Sequence, residues 1–425
     1  MEAIILTAGK GTRLHPLTKT TPKPLIPIAG RPLLFHILDS LEENIDRVLI
    51  VISHESKQIE EAINDKRYTF DIKWVIQQEQ LGTGHAIQIC KKQIDSRNTH
   101  FFMMYGDIFT TPQVIKDILK LGQLNNHTKG VFAAKDVNNP EKYGCLKIEN
   151  DFLVEILEKN STPPSNFINA GIMVLPLSIF DSLSSTPKSN RGEIEITDSI
   201  NMLIQEGTQF SVYYIKEHWI DIGYPWNLLE ANEIGIQQTE FTTIPSPPPA
   251  VTIEGSIKVA DNVVLRPGTF IQGPVIIDEN VVVGPNCFIR PGTYLGKDVR
   301  IGNGVEIKNS VILDSTILGH LSYVGDSIIG RNCNFGAGTK VANLKLEKNE
   351  IKMTIKGELL STGLKKLGVF MGDNVNTGIN VSLMPGILIG ENSRIGAHTL
   401  VNQDVPPNTL YYYDPKKGLI QKPLR

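Results

Sequence analysis

Residues 309–327 read NSVILDSTILGHLSYVGDS, in steps of six that open on an aliphatic residue until His320 and Tyr323 interrupt them. An imidazole titrates near neutral pH and can take the proton that an attacking amine must lose. Arg290 and Lys308 occupy non-aliphatic places in earlier steps of the same repeat. Stacking of equivalent corners is expected to bring Arg290 to the same edge as His320. A second set of chemical groups lies near residue 10. LTAGKGTRLHPLTKTTPKPLIPIAG carries Gly9 and Gly11 in a loop, then Thr12 and Arg13, and Lys23 between two prolines. Backbone N–H groups in a glycine loop cradle phosphates, and a fixed arginine and lysine neutralise charge developing in phosphoryl transfer. Asp107 ends the apolar run HFFMMYGD, and Asp221 lies in HWIDIGY. Two carboxylates at strand ends suit one Mg2+ that takes its other ligands from phosphate oxygens. Chemistry of this kind needs positioning and charge neutralisation rather than a covalent nucleophile.

These residues need two different scaffolds. Up to about residue 236, short apolar runs (AIILTA, RVLIVIS, IKWVIQ, GVFAAK, AGIMVL) alternate with helical patterns such as LLFHILDSLEEN. The alternation predicts an α/β, Rossmann-like domain over 1–236 with a mostly parallel sheet and helices on both faces. Ligands of such sheets bind beyond the carboxyl ends of the strands. Residues 237–250, QQTEFTTIPSPPPA, read as a proline-rich extended linker. From Val251 the chain runs in twelve hexads whose third residues, Ile253, Val259, Leu265, Ile271, Ile277, Val283, Ile289, Leu295, Ile301, Ile307 and Leu313, stay aliphatic until the histidine step. Such a repeat predicts a parallel β-helix over 251–425, left-handed at three hexads per coil. The register is expected to break over 323–368, around a lysine-rich extruded loop, and to resume at VFMGDN.

Composition bounds the rest. A chain of 425 residues that is 41% hydrophobic and 20% charged supports two ordinary cores. A net charge of -3 suggests small-molecule partners rather than nucleic acid or an anionic membrane. Cys90, Cys145, Cys287 and Cys333 show neither metal nor disulfide spacing and suit a reducing compartment. No apolar run approaches the ~20 residues that span a bilayer, so a cytoplasmic protein is expected.

The G-x-G-T-R and P-K-P segments together resemble the opening signature of the sugar-1-phosphate nucleotidylyltransferases. The resemblance implies that Gly9, Gly11, Thr12, Arg13 and Lys23 bind and activate the nucleotide. It also implies that Gln77, Gly82 and Thr83 of QQEQLGTGHA read a pyrimidine base and that Asp107 and Asp221 hold Mg2+. YGCLKIEN, EILEK and FINAGIM resemble the sugar-binding segments and point to Gly144, Glu158, Lys159 and Asn169, although Asn160 stands where the family has proline. IRPGTYLG, VEIKNS, GHLSYVGDS and NFGAGTKVAN resemble the acetyltransferase domain of the bifunctional enzymes that make UDP-N-acetylglucosamine. By that likeness Arg290 and Lys308 bind the sugar phosphate, and His320 is the general base. Tyr323, Asn334 and Asn343 would shape the amino-sugar site, and Ala337 and Ala397 would line the acetyl-coenzyme A path. Here the chain departs at Leu344, where the family has tyrosine.

The spacing from Arg13 to Lys23 and the W-x-D-x-G aspartate resemble glucose-1-phosphate thymidylyltransferases, and the whole resembles the archaeal bifunctional type. The resemblance implies acetylation of glucosamine-1-phosphate with acetyl-coenzyme A, then coupling of the product to UTP, in a homotrimer. UTP and dTTP differ at the base methyl and the 2'-hydroxyl, which Gln77 and a glycine turn do not separate, and glucosamine and galactosamine stay open as well. Two other readings remain: a single-activity thymidylyl- or uridylyltransferase with a structural β-helix, and a non-catalytic assembly subunit.

Overall fold

The computed structural model describes residues 1–53, 57–124, 129–189, 191–241 and 247–424. They form two compact units, Met1–Lys10 with Leu33–Asp221, and Gly11–Pro32 with Ile222–Arg425. The division at residue 236 follows chain order. Packing instead groups Gly11–Pro32 and the helix Pro225–Gln237 with the β-helix. Of the segment read as a linker, residues 242–246 lie outside the described residues.

In the first unit the strands are β1 (Glu2–Leu6), β2 (Arg47–Ile52), β3 (Asp71–Ile76), β4 (His100–Tyr105), β5 (Ile108–Thr110) and β6 (Gly130–Asp136). They continue with β7 (Gly144–Glu149), β8 (Phe152–Glu158), β9 (Phe167–Pro176), β10 (Phe210–Ile215) and β11 (Trp219–Asp221). Nine of these form one sheet in the order β3-β2-β1-β4-β9-β6-β10-β8-β7. Strands β1 to β4 are parallel; β1, β2 and β4 are continuous apolar runs buried on both faces, as a helix-covered sheet requires, while the edge strand β3 buries only Val75. The other half is mixed: β9 runs antiparallel to β4 and β6, and β7 with β8 is a hairpin. This corrects the mostly parallel expectation. The two-residue turn Asn150-Asp151, both at positive φ, matches strand twist and lets β8 fold straight back, so no crossover helix is formed. The order 3-2-1-4 places a topological switch between β1 and β4, where Gly106 N–H donates to Leu6 O at 2.9 Å.

The second unit is built on a left-handed parallel β-helix whose three faces are stacks of short parallel strands. Thr252–Glu254 opens the first face, Ile257–Val259 the second and Val264–Leu265 the third. Upper coils repeat at 18 residues, with Ile271, Ile289 and Ile307 in line. One column of aliphatic side chains fills the interior, each stabilising by about 1.5–3 kcal/mol on burial.

Two details differ from the sequence reading. First, Leu295 pairs with Ile312, and Ile307 with Val324, so coils shorten to 17 residues. Ile312, not Leu313, then enters the interior column. The cause lies on the second face, whose outward residues Tyr294, Val311, Ile328 and Phe370 are also buried. Leu17, Ile26 and Pro27 line an apolar pocket with Val311, Leu313 and Ile328, so outward positions there are apolar too and the periodicity cannot mark the inward set. Second, the coils continue through Tyr323–Gly325, Ile328–Ile329, Asn334–Phe335 and Lys340–Val341. Only residues 342–368 leave the solenoid, carrying a hairpin of Lys352–Ile355 and Glu358–Ser361 that buries Ile351, Met353 and Ile355. At the end of the solenoid Thr409–Asp414 pairs onto the third face and turns back as Gly418–Pro423. Among the described residues no helix is long and apolar enough to cross a membrane, and all four cysteines are buried free thiols.

Candidate active sites

In the first unit, strand pairing brings the two candidate metal ligands together. Asp107 follows the turn after β4. Asp221 ends β11, which is antiparallel to β5 with Asp221 opposite Ile108, the residue after Asp107. Among the described residues no third histidine, cysteine or carboxylate joins them. Oxygen donors of this kind, with phosphate oxygens completing the shell, suit a hard divalent cation.

Gln77 lies just past β3, buried, its N–H anchored to Ile52 O at 2.8 Å. Its side-chain amide donates to Gly82 O at 3.2 Å and lies 3.1 Å from His85 Nδ1. Gly82, at φ +100, could not carry a Cβ, which would sit 2.6 Å from Ile194 O. Thr83 starts the helix Thr83–Gln88 and accepts the Ile196 N–H at 3.3 Å. Gln80, which the sequence reading missed, donates to Ala8 O at 2.7 Å and tethers the start of the glycine loop. Around Gly9 a Cβ would meet nothing within 4 Å, which leaves its backbone open to a ligand.

The sugar candidates converge at one end of β7, β8 and β9. Gly144 pairs with Glu158, and a Cβ at Gly144 would come within 2.8 Å of Glu158 Oε1. Lys159, at φ +45, donates its N–H to Tyr143 O at 3.0 Å, and Asn169 lies at the β9 irregularity with Oδ1 accepting the Gly171 N–H at 2.9 Å. Burial, with the Glu195 carboxylate nearby, pushes the Glu158 carboxyl above the usual carboxylate range. Burial and the charges of Glu158, Asp107 and Glu195 push the Tyr105 phenol up as well. Tyr105 and Glu195 were not foreseen: Tyr105 lies in the quoted HFFMMYGD run but reads there as one more apolar strand residue, and Glu195 lies in no motif.

In the second unit, Gly11 at φ +61 opens the turn Thr12–Leu14 that carries Arg13. A Cβ on Gly11 would fall 3.2 Å from Lys23 Cβ, so the glycine lets the Arg13 turn and the Lys23–Leu25 turn approach. Thr18 Oγ1 donates to Gly11 O at 2.8 Å, and the Arg13 guanidinium lies 5.2 Å from the Tyr224 ring centre.

The acetyl-transfer candidates fall into two groups. At the end of the first-face strands Arg290 stacks over Lys308, not over His320, because Ile289 pairs with Ile307 while the His320 step belongs to the corner after the third face. This corrects the shared-edge expectation. Arg290 pairs with Glu306 at 2.8 Å and leaves a buried Nε without a hydrogen bond. Lys308 reaches the buried Asp326, which also accepts from Asn309 at 2.9 Å and from Asn343, whose amide lies 3.3 Å from the Tyr323 hydroxyl. A Cβ at Gly325 would sit 2.6 Å from that hydroxyl, so any larger residue there would displace the Tyr323 and Asn343 side chains. Asp326 was missed because an aspartate at a solenoid turn looks ordinary in sequence.

The other group is a column. Leu318, Phe335, Thr377 and Ile395 are in register, so His320, Ala337 and Ala397 stand at equivalent places on one corner, with Asn334 outward on the third face just before it. His320 is exposed, its carbonyl accepting from Ser322 Oγ at 2.9 Å and Gly338 N–H at 3.2 Å. Leu321 holds φ +50 and is 57% exposed, although the same place in the neighbouring coils is Gly304 or Gly338.

The family model described as nucleotidyl transferase matches residues 2–238, and one described as GMPPB C-terminal domain matches 271–403. A protein of Methanococcus maripaludis named bifunctional protein GlmU is 39% identical over 97% of both chains, as is its namesake from Methanocaldococcus jannaschii. A bifunctional sugar-1-phosphate nucleotidylyltransferase/acetyltransferase of Sulfurisphaera tokodaii is 38% identical over 95% of this chain and 98% of its own. A crystal structure of a putative glucose-1-phosphate thymidylyltransferase from Bacillus anthracis matches 57% of this chain and 98% of its own. At TM-score 0.51 and 24% identity it speaks to the fold of the first half alone. With one family model over more than half its length and two-domain relatives alike from end to end, the chain belongs to the nucleotidyl transferase family, among the archaeal bifunctional GlmU proteins.

Proposed function

We propose that the chain acetylates glucosamine-1-phosphate with acetyl-coenzyme A and transfers UMP from UTP to the N-acetylglucosamine-1-phosphate formed, giving UDP-N-acetylglucosamine and pyrophosphate. The observation that carries this reading is the near full-length likeness to bifunctional relatives, joined to a phosphate-binding loop in one half of the chain and a histidine corner in the other. In the first reaction the amine attacks the thioester carbonyl, a C–N bond forms and the C–S bond breaks. His320 takes the amine proton and the thiolate leaves to become thiol. Arg290 and Lys308 hold the sugar phosphate, with Tyr323, Asn334 and Asn343 around the amino sugar and Ala337 and Ala397 along the coenzyme path.

In the second reaction a sugar-phosphate oxygen attacks the α-phosphorus of UTP, and the bond to the β-phosphate breaks to release pyrophosphate. Gly9, Gly11 and Thr12 cradle the phosphates, Arg13 and Lys23 neutralise their charge, and Gln77, Gly82 and Thr83 hold the base. Gly144, Glu158, Lys159 and Asn169 hold the sugar. Asp107 and Asp221 would hold Mg2+, which supplies charge neutralisation between the two phosphates.

Arg290 and Lys308 lie at the opposite end of the first-face strand from His320. This supports a homotrimer in which a neighbouring copy completes the acetyl site. A cytoplasmic protein acting on small molecules, without nucleic-acid or membrane partners, fits the buried free cysteines and the charge balance.

The test is thiol release from acetyl-coenzyme A with glucosamine-1-phosphate, for wild type and His320→Ala, with pyrophosphate release from UTP measured alongside. Loss of thiol release alone in the variant supports the reading. Pyrophosphate release without thiol release in wild type would instead support a single-activity transferase with a structural β-helix.

A further inference from the structure

The segment that carries Arg13 and Lys23 is fastened to the β-helix at two places, one on each side of Lys23. Before the lysine, Thr20 Oγ1 donates to Asp373 Oδ2 at 2.8 Å, and Arg331 Nη1 donates to Thr21 Oγ1 at 2.5 Å. Arg331 is itself fixed: its backbone N–H donates to Asp373 Oδ1 at 2.7 Å, and its guanidinium lies 3.5 Å from Asp314 and 3.9 Å from Asp373 Oδ2. Leu17 and Ile26, both buried, line one pocket with Val311, Ile328 and the clasp residues Thr21, Arg331 and Asp373. After the lysine, Ala29 N–H donates to Asn232 Oδ1 at 3.0 Å, and Asn232 Nδ2 donates to Gly292 O at 3.2 Å. Gly30, at φ +80, lies so close to the Tyr294 ring that a Cβ would come within 2.8 Å of it.

We infer that Arg331, a β-helix residue, is a positioning residue for nucleotidyl transfer, acting through Thr21 to hold Lys23 in place. The inference rests on the nucleotidyl reading above and goes beyond it, since it makes the β-helix part of the first half's chemistry. Apolar contact alone would attach the segment. A guanidinium aimed at one hydroxyl and flanked by two carboxylates fixes its register as well, and register is what a charge-neutralising lysine needs. Thr21 is 9% exposed and two residues from Lys23, with Pro22 between them restricting the chain. A shift at Thr21 is therefore passed to the lysine with little slack.

The experiment uses the full-length protein with UTP and N-acetylglucosamine-1-phosphate, following pyrophosphate release by wild type, Thr21→Val, Thr21→Ser, Arg331→Ala and the Thr21→Val/Arg331→Ala pair. The expected result is a kcat loss of roughly 10- to 100-fold for Thr21→Val and for Arg331→Ala, with KM for UTP within about threefold of wild type. Thr21→Ser, which keeps the hydroxyl, retains most of the activity, and the double variant is no slower than the slower single one. Thiol release from acetyl-coenzyme A stays at the wild-type level, and amide exchange in residues 11–32 quickens in Arg331→Ala. Thr21→Val working at the wild-type kcat would overturn the positioning role, and so would equal losses of pyrophosphate and thiol release in Arg331→Ala. A wild type that releases no pyrophosphate would overturn the nucleotidyl reading itself.

Discussion

Lys308 and Asp326 face each other one coil apart, Nζ to Oδ1 3.3 Å, with the carboxylate side chain only 6% exposed. The same carboxylate accepts from Asn309 and Asn343, so it orients Lys308, proposed for the sugar phosphate, together with Asn343, proposed for the amino sugar. Replacing Asp326 by Asn leaves the Lys308 cation without its counter-charge in a half-buried place. Asp326→Asn is expected to cost about 1–3 kcal/mol in urea unfolding and to raise KM for glucosamine-1-phosphate. A variant as stable and as active as wild type would show that the cluster is an ordinary surface ion pair.

The Asp107 and Asp221 pair predicts a reaction-specific metal requirement. Chelation with EDTA, or substitution Asp221→Asn, is expected to lower pyrophosphate release by roughly 100-fold or more, since a bound cation supplies several kcal/mol to such a transfer. Thiol release from acetyl-coenzyme A should not change under either treatment. Equal loss of both activities would separate the metal from these two carboxylates.

Leu321 is a branched side chain held at φ +50 beside His320, where adjacent coils use glycine. A left-handed conformation costs such a residue about 1–2 kcal/mol. Leu321→Gly is therefore expected to raise the thermal midpoint, by about 1 kcal/mol in stability after the entropy that glycine adds to the unfolded chain. A lowered midpoint would mean that the exposed leucine is covered by another chain, and sedimentation of three 47.1 kDa chains against one would show it directly.

Glu158 gives a pH dependence of defined sign. Its carboxyl is raised above the ordinary 4.5, mainly by burial, so the folded state favours the neutral form. The wild type therefore loses stability, relative to Glu158→Gln, as pH rises from the unfolded value through the folded one, and the loss is complete above both. Thermal midpoints of the two proteins should converge near pH 4 and separate at pH 7 and above, with the variant higher. Its pyrophosphate release should nonetheless fall, because Glu158 lies beside Gly144 at the sugar end of the sheet.

The sequence by itself determined the two kinds of scaffold. Alternating apolar runs and helical patterns require an α/β layer, and an aliphatic residue every six positions requires stacked coils, because both periodicities come from local backbone geometry. It also marked the candidate residues that sit in compact motifs: Arg13 and Lys23 with their glycine loop, the strand-end Asp107 and Asp221, and His320 in its interrupted step.

What spacing cannot carry is who stands opposite whom. The one-residue shortening of the coils at Ile312 was hidden because the second face is apolar on both sides, which erases the inward-outward contrast. Arg290 and His320 were separated by that same three-dimensional bookkeeping of corners. Asp326, Gln80 and Arg331 act through partners 18, 72 and 310 residues away, Lys308, Ala8 and Thr21. Only the folded chain could reveal them, since a side chain's role there is set by what packing brings to it: the repeat says that positions a coil apart stack, not which side chains bond.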